Sequence, residues 1–357
     1  MIPVCNVAQR NRAYSSCNGE SGLIRPVRLV DSLELRRTPY TYMLLGSEHV
    51  LAGNHRPLGF ALRCLMPFAQ DRHTLVYHER GLRGYVQGWY RLNSADADLV
   101  YLASQPFRRG MRQPTDPDVW YRLLEAFVVR MGSRNIERIF APLASNSPHL
   151  EVFRQLGFQS YATRQVWRTL TPDVAEGSSI IVLRPQQRRD PHAIQRLYEA
   201  ITPATVVRYE GRTSRSWQLP VVARHGVRQR SWVLGRDGRD DILRAALHVW
   251  LGPHAAVMSL LIDPAEQRLA SSVIRFGMSQ LANAHQGVVY LLLPEYHGEL
   301  HHNLEEIGFE HIGDQRLTVK ELTVPLRNPL LRPVIEGTRE SVVNPSLSSS
   351  VQSEPCI

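Results

Sequence analysis

The pattern of apolar and polar positions in Ser259–Phe309 predicts one unit of alternating strands and helices. Met258–Ile262 is a short apolar run closed by Asp263–Pro264, which is typical of a strand buried inside a sheet. The next segment carries apolar residues three to five positions apart, which predicts a helix with one apolar face. Val288–Leu293 is a second apolar run and predicts a second buried strand. A strand, a helix and a strand in this order favour a right-handed crossover, and a helix that begins at a strand end favours phosphate.

Turn and boundary residues of the second half also occur in the first half. The corresponding positions are Arg25, Pro26 and Asp31 with Arg184, Pro185 and Asp190, Pro142 with Pro294, and Leu156–Phe158 with Ile307–Phe309. Solenoid units repeat every roughly 20–50 residues, so a repeat as long as this one is a whole domain. The sequence therefore predicts two similar domains.

The second domain resembles the GNAT superfamily of acyl-CoA-dependent N-acyltransferases. In that family a strand ends in apolar-x-Pro, Gln/Arg-x-x-Gly-x-Gly/Ala follows at the helix start, and a later helix ends in Gly-Phe. Ile262–Pro264, Gln267–Ser272 and Gly308–Phe309 occupy these places. The chain departs from the family at Ala270 and Ser272, which replace two glycines, so the backbone can approach a pyrophosphate less freely.

The resemblance and the repeat together predict the fold class. We expect an α/β (α+β) fold of two tandem GNAT-like domains, each a mixed, mainly antiparallel sheet flanked by helices. The expected domains are 23–171 and 180–327, joined by a linker at 172–179, with disordered ends at 1–22 and 328–357.

Two less regular segments carry further structural predictions. Leu58–Met66 is apolar and short enough to predict a strand. Ala204–Pro220 is rich in arginine, serine and threonine and predicts a long connection without regular structure.

The first domain is predicted to have lost its cofactor. Where the phosphate loop belongs, Arg108–Gly110 has no second small residue after it, and the next helix begins late, at Asp116–Pro117. A helix displaced from the strand end no longer directs its dipole at a pyrophosphate. The alternative is that Arg108, Arg109 and Arg112 bind the phosphates of a nucleotide-like ligand.

The resemblance implies that the second domain binds acetyl-CoA or another acyl-CoA. Backbone N–H groups at the helix start would hold the pyrophosphate, and the splayed strand end would pair with the pantetheine. The implied cofactor-binding residues are Leu260, Leu261, Ile262, Gln267, Arg268, Leu269, Ala270, Ser271 and Ser272.

Acyl transfer to an amine needs a base within reach, and His248 and Asp263 are the candidate catalytic residues. Each also has a structural interpretation, His248 as a buried hydrogen-bonded residue and Asp263 as a turn former before proline. The family's acid is a tyrosine, and Phe153 and Leu304 stand at its two positions. Neither can donate a proton, so the predicted mechanism relies on positioning the reactants.

The resemblance implies that residues after the first strand of the second domain contact the acceptor. The candidates are Tyr209, Glu210, Arg212 and Trp217, and the alternative is a solvated loop. His297, at the place of a family asparagine, and His301 have the one-turn spacing of metal ligands, but no carboxylate or cysteine completes a set. We therefore predict no metal.

The composition limits the partners. The chain has a formal net charge of +9, carried almost entirely by arginine, but no basic run with interleaved aromatic residues, which argues against nucleic acid. It has no apolar stretch of the roughly 20 residues that a membrane span needs. The four cysteines lack metal-type spacing and indicate free thiols, and with no signal peptide at the N-terminus they favour the cytoplasm.

The sequence thus predicts an N-acyltransferase, of N-acetyltransferase type, that moves an acyl group from acyl-CoA to a small-molecule or peptide amine. The first alternative is a non-catalytic tandem GNAT-like protein that binds a ligand or partner. The second is an aminoacyl transferase that uses charged tRNA.

Overall fold

The computed structural model describes residues 23–37, 41–53, 56–66, 71–79, 82–105, 117–170, 181–236, 239–282 and 284–322. Its strands are β1 (Leu23–Pro26), β2 (Thr41–Leu44), β3 (Arg72–His78), β4 (Leu82–Tyr90), β5 (Asp96–Ser104), β6 (Arg138–Ala144), β7 (Gln159–Leu170), β8 (Arg184–Pro185), β9 (Arg228–Arg236), β10 (Arg239–Leu251), β11 (Ala255–Ile262), β12 (Val288–Pro294) and β13 (Glu310–Glu321). Its α-helices are α1 (Asp31–Arg37), α2 (Glu48–Ala52), α3 (Pro57–Cys64), α4 (Pro117–Gly132), α5 (Leu150–Gln155), α6 (Pro191–Ile201), α7 (Ala204–Glu210), α8 (Ala270–Ala282) and α9 (His301–Ile307).

All of these strands belong to one sheet, whose order is β1-β3-β4-β5-β6-β13-β7-β12-β11-β10-β9-β8, with β2 on β5. Counted from either edge, the order places corresponding strands of the two halves at corresponding positions. The exception is that β7 and β13, the last strands of the two halves, have exchanged places. β13 of the second half pairs with β6, and β7 of the first half pairs with β12. Among the strand pairs that the structure describes, only β5–β6 and β11–β12 are parallel. The predicted mixed, mainly antiparallel sheet flanked by helices is therefore confirmed.

The two predicted domains are continuous within this sheet, because β7 of the first half and β13 of the second half also pair with each other. The described residues form one compact unit, and the domain boundaries stay a prediction. The expected disordered ends, the linker, and Arg108, Arg109 and Arg112 lie outside the described residues.

The repeated Arg-Pro and Asp positions form the same contacts in both halves. Arg25 donates two hydrogen bonds to Asp31, both of 2.8 Å, and Arg184 donates two to Asp190, of 2.7 and 2.9 Å. Each aspartate also accepts the backbone amide three residues before it at 2.6 Å. Both carboxylates are buried, so each pair fixes the turn between the first strand and first helix of its half.

The repeated Gly-Phe positions are equivalent as well. Gly157 and Gly308 follow α5 and α9 in the left-handed region, with φ of 79° and 92°, where glycine has no steric penalty. The next amide closes the helix end in each half, Phe158 to the Phe153 carbonyl at 3.0 Å and Phe309 to the Leu304 carbonyl at 2.9 Å.

Apolar side chains alternate between the faces of the sheet and are covered by helices on both. In the first half, α4 and α5 cover one face, and α1 to α3 pack on the other. In the second half, α8 and α9 cover one face and α6 the other. No helix in the described ranges is long and apolar enough to cross a membrane.

Two predictions about local structure are wrong. Leu58–Met66 is not a strand, because Pro57–Cys64 forms α3, with Pro57 in the first turn and Phe60 buried. A short apolar run cannot by itself distinguish a strand from one face of a helix. The connection Ala204–Pro220 contains α7 and a 3₁₀ helix at Ser214–Trp217.

The short helix α2 of the first half packs against β10 and β11 of the second. A Cβ added at Gly252 would overlap the carbonyl of Ala52, whereas one added at Gly132 meets open space. We expect Gly252→Ala to lower the free energy of unfolding by about 1–3 kcal/mol, because rigid backbone must move. Urea denaturation checks this value. Gly132→Ala is the matched control, and an equally small change in both variants would contradict the close approach.

Candidate functional site

The strands β11 and β12 separate at the centre of the second half. Their parallel pairing ends at Ser259 and Leu292. β11 nevertheless continues to Ile262, and β12 continues to Pro294. The two strands therefore open a cleft at their carboxyl ends.

The edge of β11 that faces this cleft has peptide groups available for a ligand. The amide of Asp263 donates to the carbonyl of Arg244 on β10 at 2.9 Å. Peptide groups alternate in direction along a strand, so those of Leu260 and Ile262 point away from β10 and toward the cleft. The pairing of Ser259 with Leu292 engages the amide of Leu260, and within the described part of the chain no strand pairs with the carbonyl of Leu260 or with Ile262 on that side. Leu260 and Ile262, with Leu261 between them, thus lie on the edge of β11 at the cleft, and cofactor binding by these residues stays a prediction.

The equivalent cleft of the first half is filled by the chain itself. Pairing of β5 and β6 ends at Asp98 and Phe140. Further along β5, β2 forms an antiparallel pair, from Leu44 opposite Tyr101 to Thr41 opposite Ser104. The edge of β5 that corresponds to the free edge of β11 is therefore already hydrogen-bonded.

The predicted phosphate loop is more closed than the motif suggests. Pro264–Leu269 is a 3₁₀ helix that runs into α8, so the helix does not begin directly after the strand. The amide of Ala270 donates to the carbonyl of Gln267, and the Ser271 hydroxyl accepts from Asn303 at 2.7 Å. Arg268 is largely exposed. Pyrophosphate binding by Gln267–Ser272 stays a prediction.

A small cavity of about 60 Å³ lies where β11 and β12 separate. Ser259 and Leu292 line it, and so does His248, which stands opposite Ser259 on β10. The other polar and aromatic residues on its wall are Glu48, Thr163, Arg164, Tyr198, Glu210, Arg212, Trp217, Trp250 and Tyr296.

Three of the four predicted acceptor residues lie on this wall, namely Glu210, Arg212 and Trp217. Tyr209 does not, and its hydroxyl donates to Gln159 at 3.0 Å.

His248 is buried, at 7% exposure, and its Nε2 lies 3.3 Å from the Ser231 hydroxyl. Burial, and then the positive charge of Arg212, lowers the pKa of His248 to about 3. The imidazole is therefore neutral at physiological pH and is a weak base.

Asp263 lies away from the cavity wall. Its carboxylate accepts the amide of Ala265 at 3.0 Å and caps the 3₁₀ helix. The structure therefore does not bring Asp263 together with His248, and the capping contact is the turn-forming role that the sequence left open.

His297 is also buried, and burial lowers its pKa to about 4. It does not line the cavity. His301 lies beside Trp167, with ring centroids 5.7 Å apart. Among the residues that the structure describes, no three histidine, cysteine or acidic side chains are grouped to hold a metal ion.

Two charged residues from the first half complete the wall, and neither was predicted from the sequence. Arg164 on β7 donates to Glu48 at 2.5 Å, to the Gly46 carbonyl at 2.6 Å and to Gln315 at 2.9 Å. Burial alone would raise the pKa of Glu48, but Arg164 and Arg212 outweigh it and hold the pKa at about 2. The one available signal was that Arg164 lies in a stretch rich in aromatic and β-branched residues, between Tyr161 and Trp167.

A second cavity, of about 160 Å³, lies at the opening between β5 and β6. Trp89 is on its wall and donates to Asp98 at 3.1 Å, and its ring stacks on His225 with centroids 4.1 Å apart. Glu48, Arg164, Glu210 and Arg212 line both cavities. The four charged side chains thus form the partition between the two openings.

The GNAT-like fold that the motifs predict is confirmed by the strand order and by the strand–helix–strand unit in each half. No protein-family model matches the chain, and no curated protein is similar to it. Similar solved structures include a tandem GNAT protein from the clavulanic acid biosynthesis pathway, at 12% identity and a TM-score of 0.48, covering 84% of this chain and 98% of that one.

Two further solved structures have similar values. A putative acetyltransferase from Pyrococcus horikoshii is 11% identical, with a TM-score of 0.45, covering 87% of this chain and 92% of that one. A GCN5-related N-acetyltransferase from Sphaerobacter thermophilus is 12% identical, with a TM-score of 0.44, covering 84% and 95%.

Proposed function

We propose that this chain is an acyl-CoA-dependent N-acyltransferase whose working site is the cleft between β11 and β12. The observation that carries the proposal is the free edge at Leu260 and Ile262, since the corresponding edge of β5 is closed by β2. A free strand edge pairs with an extended amide-bearing chain, and the pantetheine arm is such a chain. The acyl-CoA is expected in the second half only.

Acetyl-CoA, when bound, supplies the thioester carbonyl carbon that an amine attacks as the thiolate leaves. The cavity at Ser259 lies beside the free edge, so it can hold the amine next to that carbon. The wall is built from residues of both halves and fixes the orientation of the amine, which can supply much of the acceleration.

Two cavity residues are in the right protonation states to move protons. His248 is neutral and accepts a proton from the attacking nitrogen, which becomes much more acidic as its bond to carbon forms. Burial, and then the charge of Glu210, raises the pKa of Tyr296 to about 12, so its hydroxyl stays protonated and can donate to the leaving sulfur. Tyr296 thus offers a donor that positions 153 and 304 lack.

The experiment that tests the proposal is thermal melting with and without acetyl-CoA. A ligand at one hundred times its dissociation constant adds about 2.7 kcal/mol to the free energy of unfolding, and the melting temperature should rise accordingly. No shift at millimolar acetyl-CoA would contradict the proposal. It would favour the non-catalytic binding protein, which the closed turn at Gln267–Ala270 also supports.

Ser272→Glu tests where the pyrophosphate lies. We expect this variant to lose the acetyl-CoA shift, because a carboxylate beside a diphosphate is repelled. Ser279→Glu, which places the same charge on the exposed face of α8, should keep it. If both variants keep the shift, the pyrophosphate is not bound at 267–272.

A further inference from the structure

Arg212 is held rigidly at the wall between the two cavities. Its guanidinium carbon lies 5.7 Å from the ring centre of Tyr198 and 5.1 Å from that of Trp217. Its Nε donates to Glu210 at 2.7 Å, and Glu210 is itself fixed by the Tyr198 hydroxyl at 2.8 Å. Stacking and this one hydrogen bond together set the plane of the guanidinium.

The contacts of Arg212 use only one of its three nitrogens. Within the described part of the chain, the two terminal nitrogens make no hydrogen bond to the protein, and the side chain is 32% exposed. Arg212 also lines both cavities. Two parallel N–H groups of a fixed guanidinium match the two oxygens of a carboxylate. The other cavity arginine, Arg164, is already bonded through all three nitrogens.

We propose that the amine acceptor carries a carboxylate, and that Arg212 binds this carboxylate so that an amino acid is presented to the cleft between β11 and β12. The proposal deepens the proposed function and rests on it. His248 and Arg212 line the same cavity of about 60 Å³, so the amine and the carboxylate of the acceptor are only a few atoms apart. An α-amino acid has this spacing.

The charge pattern of the wall supports the same ligand class. Glu48 is paired with Arg164, and Glu210 accepts from Arg212 and Tyr198, so among these four side chains the terminal nitrogens of Arg212 are the charged donors left for a ligand. A bound carboxylate would also counter the Arg212 charge, which after burial is the cause of the low pKa of His248. Acceptor binding would therefore make His248 a stronger base when the amine arrives.

The test measures thiol release from acetyl-CoA with each of the twenty common amino acids and with matched amines that lack the carboxylate. The pairs are L-alanine with ethylamine, L-phenylalanine with phenethylamine, and L-lysine with cadaverine. We expect at least one amino acid to be acetylated with kcat/KM at least tenfold above that of its matched amine. If every amine reacts as well as its amino acid, or if no amino acid reacts or raises the melting temperature, the proposal is overturned.

Arg212→Lys keeps the charge but removes the two-pronged donor. We expect it to raise KM for the amino acid about ten- to hundredfold, as for a lost charge-assisted hydrogen bond, and to leave the acetyl-CoA melting shift intact. Arg208→Lys, at an exposed position on α7, is the matched control. An unchanged KM in Arg212→Lys would overturn the proposal. A wild-type protein with no acetyl-CoA shift would instead overturn the proposed function.

Discussion

Arg164→Met is expected to lower the free energy of unfolding by about 3–5 kcal/mol. Arg164 is buried and joins β7 to α2 and β13 through Glu48, the Gly46 carbonyl and Gln315. Removing it leaves a carboxylate without its partner in a poorly hydrated place, and that penalty exceeds the packing that methionine restores. Urea denaturation at pH 7 measures the change.

Arg168→Met is the matched control, because Arg168 is also on β7 but forms an exposed pair with Glu310, with side chains 46% and 71% exposed. An exposed pair contributes about 0–1 kcal/mol. Adding Glu48→Gln to Arg164→Met should recover part of the loss, since the unpaired charge is then gone. Equal effects of Arg164→Met and Arg168→Met would show that the central ion pair does not stabilise the sheet.

Acidification from pH 7 to pH 5 is expected to lower the free energy of unfolding by about 2 kcal/mol more in the wild-type protein than in the His248→Gln variant. The pKa of His248 is about 3 in the folded protein and 6.5 in the unfolded chain. Below pH 6.5 the unfolded chain therefore binds a proton that the folded protein does not, and stability falls as the pH drops toward 3. pH 5 lies about 1.5 units below the pKa of the unfolded chain, and each unit contributes about 1.36 kcal/mol.

Urea denaturation of both proteins at pH 7, 6 and 5 checks this slope. His297→Gln should flatten it in the same way, because His297 has a pKa of about 4. His302→Gln is the control, since that side chain is 82% exposed. If His248→Gln and the wild type lose stability in parallel, His248 is not buried in its neutral form.

The same residue has a kinetic signature. A base with a pKa of about 3 produces no inflection between pH 6 and 7, so the pH profile of kcat/KM should follow the ionisation of the free amine.

Much of the fold could be predicted because its signals are local. The buried strands β11 and β12, the turn at Asp263 and the helix end at Gly308 are each determined within a few residues by periodicity and turn chemistry. The repeated Arg-Asp pairs are six residues apart and were visible as a pattern before their contacts were known. His248 was a candidate on residue type and position, and Arg212 lay in the acceptor region that the resemblance implies.

The site itself depends on contacts between distant parts of the chain. The sequence alone indicated two similar halves and their apolar strands, and the resemblance implied splayed strand ends near Leu260–Ile262. Only the tertiary structure decided that β7 and β13 exchange places, that β2 closes the first opening, and that Glu48 and Arg164 reach the second. The physical reason is that any apolar strand edge can pair with many others, so the choice of partner rests on how the whole sheet buries its faces and satisfies its charges.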